Sequence, residues 1–190
     1  MDVGLDVLQQ VVETTGKPSV VMTYVNPVLK VGIDEFAGRV ERAGGSGVII
    51  ADLPVDEAGP FARAFRSRGI GLILFVAPTT TEERLERVMA AKPAFVYGIA
   101  EVGVTGERAS ASSHIADLVK RVRRHGDIPV VAGVGISSAE QARVAAAAAD
   151  GVIVGSTLVR RVLEASDVAE AVHSLGAAVG ELAKAVRLSD

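Results

Sequence analysis

The sequence of 190 residues contains no cysteine and no tryptophan, and only 4% of its residues are aromatic. Without cysteine there is no disulfide framework, no thiol nucleophile and no cysteine-ligated zinc site. A net charge of −3 provides no broad positive field for nucleic acid. No apolar run reaches the roughly eighteen residues of a membrane span, and no basic segment followed by an apolar one opens the chain. These absences predict a cytoplasmic protein that binds neither nucleic acid nor a membrane.

The remaining composition is that of an ordinary globular domain. Hydrophobic residues make up 49% and charged residues 23% of the chain, which is enough apolar surface for one sizeable core. We therefore expect a single domain over residues 1–190. The three histidines, His114, His125 and His173, fall on predicted helices without the spacing of metal ligands, so no metal site is predicted.

Six short β-branched runs alternate with amphipathic helical stretches along the sequence. The helix after the first strand is predicted over 34–43. Nearly continuous apolar strands that alternate with helices are typical of a parallel sheet covered by helices. The six strands are predicted over 19–24, 48–53, 72–77, 95–99, 130–132 and 152–154.

Glycine-bearing segments end the last two of these strands, Gly133-Val134-Gly135-Ile136-Ser137 and Gly151-Val152-Ile153-Val154-Gly155-Ser156. Glycine lets a backbone approach an anion closely, and the N-terminus of a following helix favours negative charge. A doubly wound sheet usually carries its phosphate loop after the first strand, whereas a (β/α)8 barrel places it after strands seven and eight. The position of these glycines favours the barrel. Since a full barrel takes about 250 residues, we expect only six βα units here, strands 3 to 8, with the first two missing.

Several separated motifs in this α/β sequence match those of one known family. In order and near the right spacing, they resemble the tryptophan synthase α subunit family over about residues 3–190. The motifs are Val21-Met22-Thr23-Tyr24-Val25-Asn26-Pro27, Gly32-Ile33-Asp34-Glu35-Phe36, Ala51-Asp52-Leu53-Pro54, Ala77-Pro78-Thr79-Thr80, Phe95-Val96-Tyr97, Gly103-Val104-Thr105-Gly106, Gly133-Val134-Gly135-Ile136-Ser137 and Gly155-Ser156.

The resemblance implies a TIM-barrel lyase of tryptophan biosynthesis that cleaves indole-3-glycerol phosphate to indole and glyceraldehyde 3-phosphate. It implies no metal and no organic cofactor. It also implies a partner, the tryptophan synthase β subunit, in an α2β2 assembly through which indole passes to the β subunit's active site.

Site residues follow from the same resemblance, position by position. The phosphate-binding positions of the family match Gly106, Gly135, Gly155 and Ser156. The positions that line the indole pocket match Tyr24, Ile49, Ala51, Tyr97 and Thr105. Exposed N–H groups at the glycines, one serine hydroxyl and an apolar pocket with few polar groups suit such a ligand.

The catalytic carboxylates are expected to be absent. Cleavage needs one group to protonate the indole ring at C3 and another to take the hydroxyl proton. The resemblance implies that these are a glutamate on the second strand and an aspartate in the loop after it, both before the start of this sequence. Asp52, at the end of a predicted strand, is then the only weak catalytic candidate, its alternative being a cap or loop hydrogen bond.

Three further positions depart from or extend the family pattern. Glu101 stands where the family has an arginine that helps to close a lid, and Asn26 and Pro54 match positions near the family's contact with the β subunit. The sequence therefore leaves three functions open. The first is a tryptophan synthase α-type lyase, and the second is a noncatalytic homologue that binds a phosphate ligand or regulates the β subunit. The third is another phosphosugar-handling barrel enzyme of amino-acid biosynthesis.

Overall fold

A computed structural model describes residues 2–99, 108–133 and 135–187. The chain forms two compact units, one of residues 1–75 and 80–96 and the other of residues 76–79 and 97–190. Over the described residues, the six predicted strands are confirmed, and each is followed by at least one helix.

The first unit contains three strands, five α-helices and one short 3-10 helix among its described residues. In chain order they are α1 (Asp2–Thr15), β1 (Val20–Thr23), α2 (Val25–Val31), α3 (Ile33–Arg42), β2 (Gly47–Ile50), a short 3-10 helix (Val55–Glu57), α4 (Ala58–Arg66), β3 (Gly71–Val76) and α5 (Glu82–Ala90). The strands lie side by side in chain order and run parallel.

The register brings the carboxyl ends of β1 and β2 level with each other. Thr23 is paired with Ile50, and Met22 with Ile49. The residues that follow, Tyr24 and Ala51, therefore leave the sheet at the same edge. In a barrel of parallel strands this is the edge that carries the active site.

Helix α2 is absent from the sequence-based prediction, which places only one helix, over 34–43, after the first strand. Pro27 is the third residue of α2, and a proline is tolerated in the first turn because the N–H groups there have no intrahelical acceptor. Gly32 separates α2 from α3 at a φ of 96°, where glycine has no steric penalty. The helix predicted over 34–43 is α3, and α2 is an additional helix that precedes it and is joined to it at a glycine.

The core of the first unit is formed by helix faces packed on the strands. Phe36 and Phe65 are fully buried and meet edge to face, with ring centroids 6.2 Å apart. This geometry is favoured by the aromatic quadrupole and adds about 0.5–1.5 kcal/mol to the area that the rings bury. It fixes α3 against α4.

The second unit alternates strands and helices in the same way. Its described elements are β4 (Val96–Ile99), α6 (Arg108–His125), β5 (Val130–Gly133), α7 (Ala139–Ala146), β6 (Gly151–Ile153), α8 (Ser156–Glu164) and α9 (Val168–Val186). Strands β5 and β6 are parallel, with Gly133 paired with Ile153. The buried face of α6, formed by Ile115, Leu118, Val119 and Val122, supplies most of this unit's large core side chains.

Each unit also leaves an apolar face exposed. In the first unit, α1 and β1 border an open groove of about 580 Å³, and Met22 on β1 is 62% exposed. In the second unit the exposed side chains lie on α8 and α9; they are Val159, Val162, Leu163, Val168, Val172 and Val179. Such continuous apolar surface is typical of a face that another polypeptide covers. None of the described helices is long and apolar enough to cross a membrane.

We expect the 190-residue chain to self-associate through the face formed by α1 and β1. Met22→Lys adds a charge to this face and should weaken association at least about tenfold, because a buried unpaired charge is costly. Sedimentation velocity over a concentration series measures the effect. Thr14→Lys, which adds the same charge at an exposed polar position of α1, serves as the control. A wild-type chain that sediments as a monodisperse monomer and melts cooperatively would contradict this expectation.

Candidate functional site

The two glycine segments of the second unit lie beside each other. Strands β5 and β6 are neighbours in parallel register, so Gly135 and Gly155, which follow them, leave the sheet at the same edge. Gly155 is the N-cap residue of α8, and its carbonyl accepts hydrogen bonds from the N–H groups of Leu158 and Val159 at 2.9 and 3.1 Å. Helix α8 therefore begins immediately at the candidate phosphate site.

The N-terminus of α8 presents donors without a competing anion. Within residues 2–99, 108–133 and 135–187, no acceptor binds the amide N–H groups of Gly155 and Ser156, as is general for the first turn of a helix. No acidic residue lies in that turn. Both Gly155 and Ser156 are exposed. A phosphate at this point would meet free N–H groups and the positive end of the helix dipole.

A side-chain hydrogen bond connects the two segments. The Thr157 hydroxyl in the first turn of α8 donates to the carbonyl of Ile136 at 3.4 Å, and Ile136 is buried. The N-terminus of α8 is thus tied to the loop that contains Gly135. The N–H and hydroxyl of the next residue, Ser137, both donate to Oε1 of Gln141, so this serine is engaged inside the loop.

Three glycines in this region differ in their packing and backbone conformation. A Cβ at Gly133 would lie 2.5 Å from Cζ of Tyr97, closer than nonbonded carbon atoms approach. Gly135 has a φ of 75°, which only glycine adopts at no cost. Gly155 has a φ of −122°, and a Cβ there would meet nothing within 4 Å. Packing and backbone conformation account for the first two, whereas the open space at Gly155 leaves room for a ligand.

Tyr97, which the resemblance places in the indole pocket, is a half-buried residue of β4 whose ring lies against the backbone of Gly133. Burial raises the pKa of its phenol above the ordinary value. The phenol is therefore harder to ionise than a fully solvated one. Tyr97 is thus a predicted pocket residue that contacts β5, the strand that precedes Gly135 of the candidate phosphate site.

The other described pocket residues belong to the first unit. Tyr24 follows β1, Ile49 lies on β2, and Ala51 follows β2. Tyr24 is 61% exposed, whereas Ile49 is 7% exposed and Ala51 is intermediate. The three residues thus lie at one edge of the first unit's sheet, with the tyrosine the most accessible.

Asp52 makes a contact that local sequence does not reveal. Its Oδ1 atom accepts a hydrogen bond from the N–H of Val25, the first residue of α2, at 2.7 Å. The sequence left two roles open for Asp52, a catalytic one and a cap or loop hydrogen bond, and this contact is a hydrogen bond of the second kind. Asp52 also borders a cavity of about 380 Å³ with Leu53, Pro54, Val55, Phe75, Thr80, Arg84 and Val88.

A cluster of charges lies beside this cavity, and sequence analysis does not find it. Asp56 accepts hydrogen bonds from both Arg87 and Arg84, which lowers the pKa of its carboxyl group. The contacts connect the 3-10 helix to α5. By contrast, the cap of α5 is local in sequence: the Thr81 side chain accepts a hydrogen bond from the N–H of Arg84 at 3.3 Å, as an N-cap residue does.

Three predicted positions, Glu101, Thr105 and Gly106, lie outside the described residues. Among the residues that are described, no group of three or more His, Cys, Asp or Glu side chains is arranged to hold a metal ion.

Comparison with known proteins identifies the family. The family model for the tryptophan synthase alpha chain matches residues 1–187. The chain belongs to the tryptophan synthase alpha chain family.

Curated members of the tryptophan synthase alpha family are clearly similar in sequence. The protein from Streptomyces avermitilis is 44% identical over 178 residues, which cover 94% of this chain and 64% of that protein. The protein from Mycobacterium marinum is also 44% identical, over 93% of this chain and 63% of its own length. The chain thus spans slightly less than two thirds of the length of these relatives.

Solved structures of the family agree with the fold. The tryptophan synthase alpha subunit of Legionella pneumophila superposes with a TM-score of 0.85 at 28% identity, over 97% of this chain and 69% of that one. A Mycobacterium tuberculosis tryptophan synthase structure gives a TM-score of 0.82 at 42% identity, over 97% and 68%. The predicted fold class, six βα units of a (β/α)8 barrel family, is therefore confirmed.

Proposed function

We propose that the chain binds indole-3-glycerol phosphate as a tryptophan synthase α-type lyase polypeptide of tryptophan biosynthesis, releasing indole and glyceraldehyde 3-phosphate in the cytoplasm. The observation that carries this proposal is the open, donor-rich N-terminus of α8 at Gly155 and Ser156. Membership of the family supplies the substrate, since its members are tryptophan synthase alpha chains.

The phosphate group of the substrate is assigned to the second unit. The N–H groups of Gly155 and Ser156 and the hydroxyl of Ser156 are the proposed donors, with Gly135 beside them; the family resemblance adds Gly106 as a further phosphate-binding position. Hydrogen bonds from backbone amides to an anion are charge-assisted and therefore stronger than those between neutral groups. No lysine or arginine is needed for such a site.

The indole ring is assigned to Tyr24, Ile49, Ala51, Tyr97 and Thr105. Apolar and aromatic side chains with few polar groups favour a flat heteroaromatic ligand. In the cleavage step, the hydroxyl proton leaves, the bond from the indole C3 to the glycerol carbon breaks, an aldehyde forms, and C3 gains a proton. Both proton transfers require an acid or base within hydrogen-bond reach. Asp52 is the one carboxylate proposed at this edge, and its Oδ1 is bonded to Val25.

A β subunit is the proposed protein partner. Asn26 in α2 and Pro54 after β2 are both exposed, and both follow strands whose carboxyl ends lie level. A polypeptide docked on this edge would lie next to the proposed indole subsite. This arrangement fits transfer of indole to a partner.

A noncatalytic binding protein is the second candidate function. The bond between Asp52 and Val25 favours it, because it gives the one weak catalytic candidate a structural role. Such a protein would bind the phosphate ligand or regulate the β subunit without turnover.

An indole-release assay separates the two functions. The chain is incubated with indole-3-glycerol phosphate, alone and with a tryptophan synthase β subunit, while glycerol 3-phosphate binding is measured by calorimetry. Indole formation above a protein-free blank supports the lyase. Retained binding without indole formation, with or without the β subunit, supports the noncatalytic protein, and absence of both would refute the proposed site.

A further inference from the structure

Two hydrogen bonds hold Tyr24 between them. On one side, the N–H of Ala51 donates to the carbonyl of Thr23 at 2.9 Å. On the other side, the N–H of Val25 donates to Oδ1 of Asp52 at 2.7 Å. Consecutive residues at the end of β2 thus fix the residues on both sides of Tyr24. The first bond is between backbones and would form with many residues at position 51, whereas the second depends on the aspartate side chain.

Tyr24 needs this outside help because it occupies the N-cap position of α2. Its backbone is extended, with φ −116° and ψ 163°, and its side chain makes no capping hydrogen bond. Residues usual at this position, such as serine or aspartate, accept an N–H of the first turn themselves. No acidic residue lies in the first turn of α2. Asp52, 27 residues beyond Val25, provides the missing acceptor and a negative charge at the helix N-terminus.

The tyrosine's position follows from this bond. Tyr24 is 61% exposed, so packing restrains its side chain weakly, and the direction of the ring depends mainly on the backbone that carries it. Without the Asp52 carboxylate, the N–H of Val25 would lose its side-chain acceptor. The first turn of α2 would then fray, and the backbone of Tyr24 would move with it.

We propose that Asp52 is a positioning residue of the indole subsite, which sets the place of the Tyr24 ring by capping α2 at Val25. This inference rests on the proposed function, in which Tyr24 contacts indole. It assigns Asp52 a role in binding through hydrogen-bond acceptance, and not in proton transfer.

The difference between Asp52→Asn and Asp52→Ala separates these roles. Asparagine keeps a carbonyl oxygen at the same reach and can still accept from Val25, but it does not act as a general base. A positioning role therefore survives in Asp52→Asn and is lost in Asp52→Ala. Asp52→Ser, whose side chain is one bond shorter, is a second variant that lacks the reach to Val25.

The chain has two tyrosines, Tyr24 and Tyr97, so 3-fluorotyrosine labelling gives two fluorine NMR resonances. Tyr24→Phe and Tyr97→Phe assign them, and indole is the probe. Wild-type protein should show a saturable shift of the Tyr24 resonance. Asp52→Asn should keep the dissociation constant within twofold, whereas Asp52→Ala and Asp52→Ser should weaken binding at least fivefold and move the Tyr24 resonance of the free protein.

Asp56→Ala is the matched control, because it removes a nearby exposed aspartate that pairs with Arg84 and Arg87 and not with Val25. It should bind indole as the wild type does. Circular dichroism verifies that each variant is folded. If indole does not shift Tyr24 in the wild type, the proposed indole subsite fails, and this inference fails with it. If wild type, Asp52→Ala and Asp52→Ser respond equally, or if Asp52→Asn is as impaired as they are, the positioning role is refuted while the proposed function stands.

Discussion

Gly133→Ala should destabilise the protein by about 2 kcal/mol, the middle of the range for an overpacked interior. The new methyl group would lie 2.5 Å from Cζ and Cε1 of Tyr97. Gly133 is buried at the end of β5, and Tyr97 lies on β4, so either the ring or the strand must shift. Urea denaturation followed by circular dichroism, at concentrations low enough to prevent association, measures the change.

Gly151→Ala is the matched control on the neighbouring strand. A Cβ at Gly151 would meet Val131 at 3.6 Å, which is ordinary van der Waals contact. This variant should be neutral, or up to about 1 kcal/mol more stable because alanine restricts the unfolded chain. In a Tyr97→Ala background, the cost of Gly133→Ala should nearly vanish, as a double-mutant cycle requires for residues in contact. Equal stability of the two alanine variants in the wild-type background would refute the contact.

Gly155→Asp should weaken the binding of glycerol 3-phosphate at least about 30-fold, or about 2 kcal/mol, while leaving stability within about 0.5 kcal/mol. The aspartate side chain would enter space that is empty within 4 Å, and the φ of −122° lies outside the left-handed region that favours glycine. It would place a carboxylate where the phosphate is proposed to lie. Calorimetry measures the affinity, and thermal unfolding measures the stability.

Gly176→Asp introduces the same charge into α9, where a Cβ also meets nothing within 4 Å. It should bind glycerol 3-phosphate with the affinity of the wild type. An unchanged affinity in Gly155→Asp would place the phosphate elsewhere. An equal loss in both variants would show that the effect is one of net charge.

The alternation of strands and helices was predictable because it depends on residues that are close together in the sequence. A β-branched apolar run indicates a strand without knowledge of the strand that pairs with it. In the same way, Thr81 indicates the start of α5, because its own side chain caps the helix. Helix α2 was not predictable in this way. Its cap comes from Asp52, 27 residues away, and no local window contains both residues.

The candidate site was predictable in part for the same reason. A glycine pattern indicates where backbone could approach a phosphate, but it does not say why each glycine is there. The contact between Gly133 and Tyr97 depends on strand neighbours, and the open space at Gly155 depends on the helix that follows. Only three-dimensional structure separates a glycine required by packing from one that leaves room for a ligand.

The N-terminus of α8 is the proposed binding site for the phosphate of the ligand. The most direct test is an amide ¹H–¹⁵N titration of the full chain with glycerol 3-phosphate. The amide resonances of Gly155 and Ser156 should shift to higher proton frequency and saturate together with the calorimetric binding curve, as expected for N–H groups that bind an anion. Saturable binding that leaves these two resonances in place would contradict the account, and so would the absence of any saturable binding.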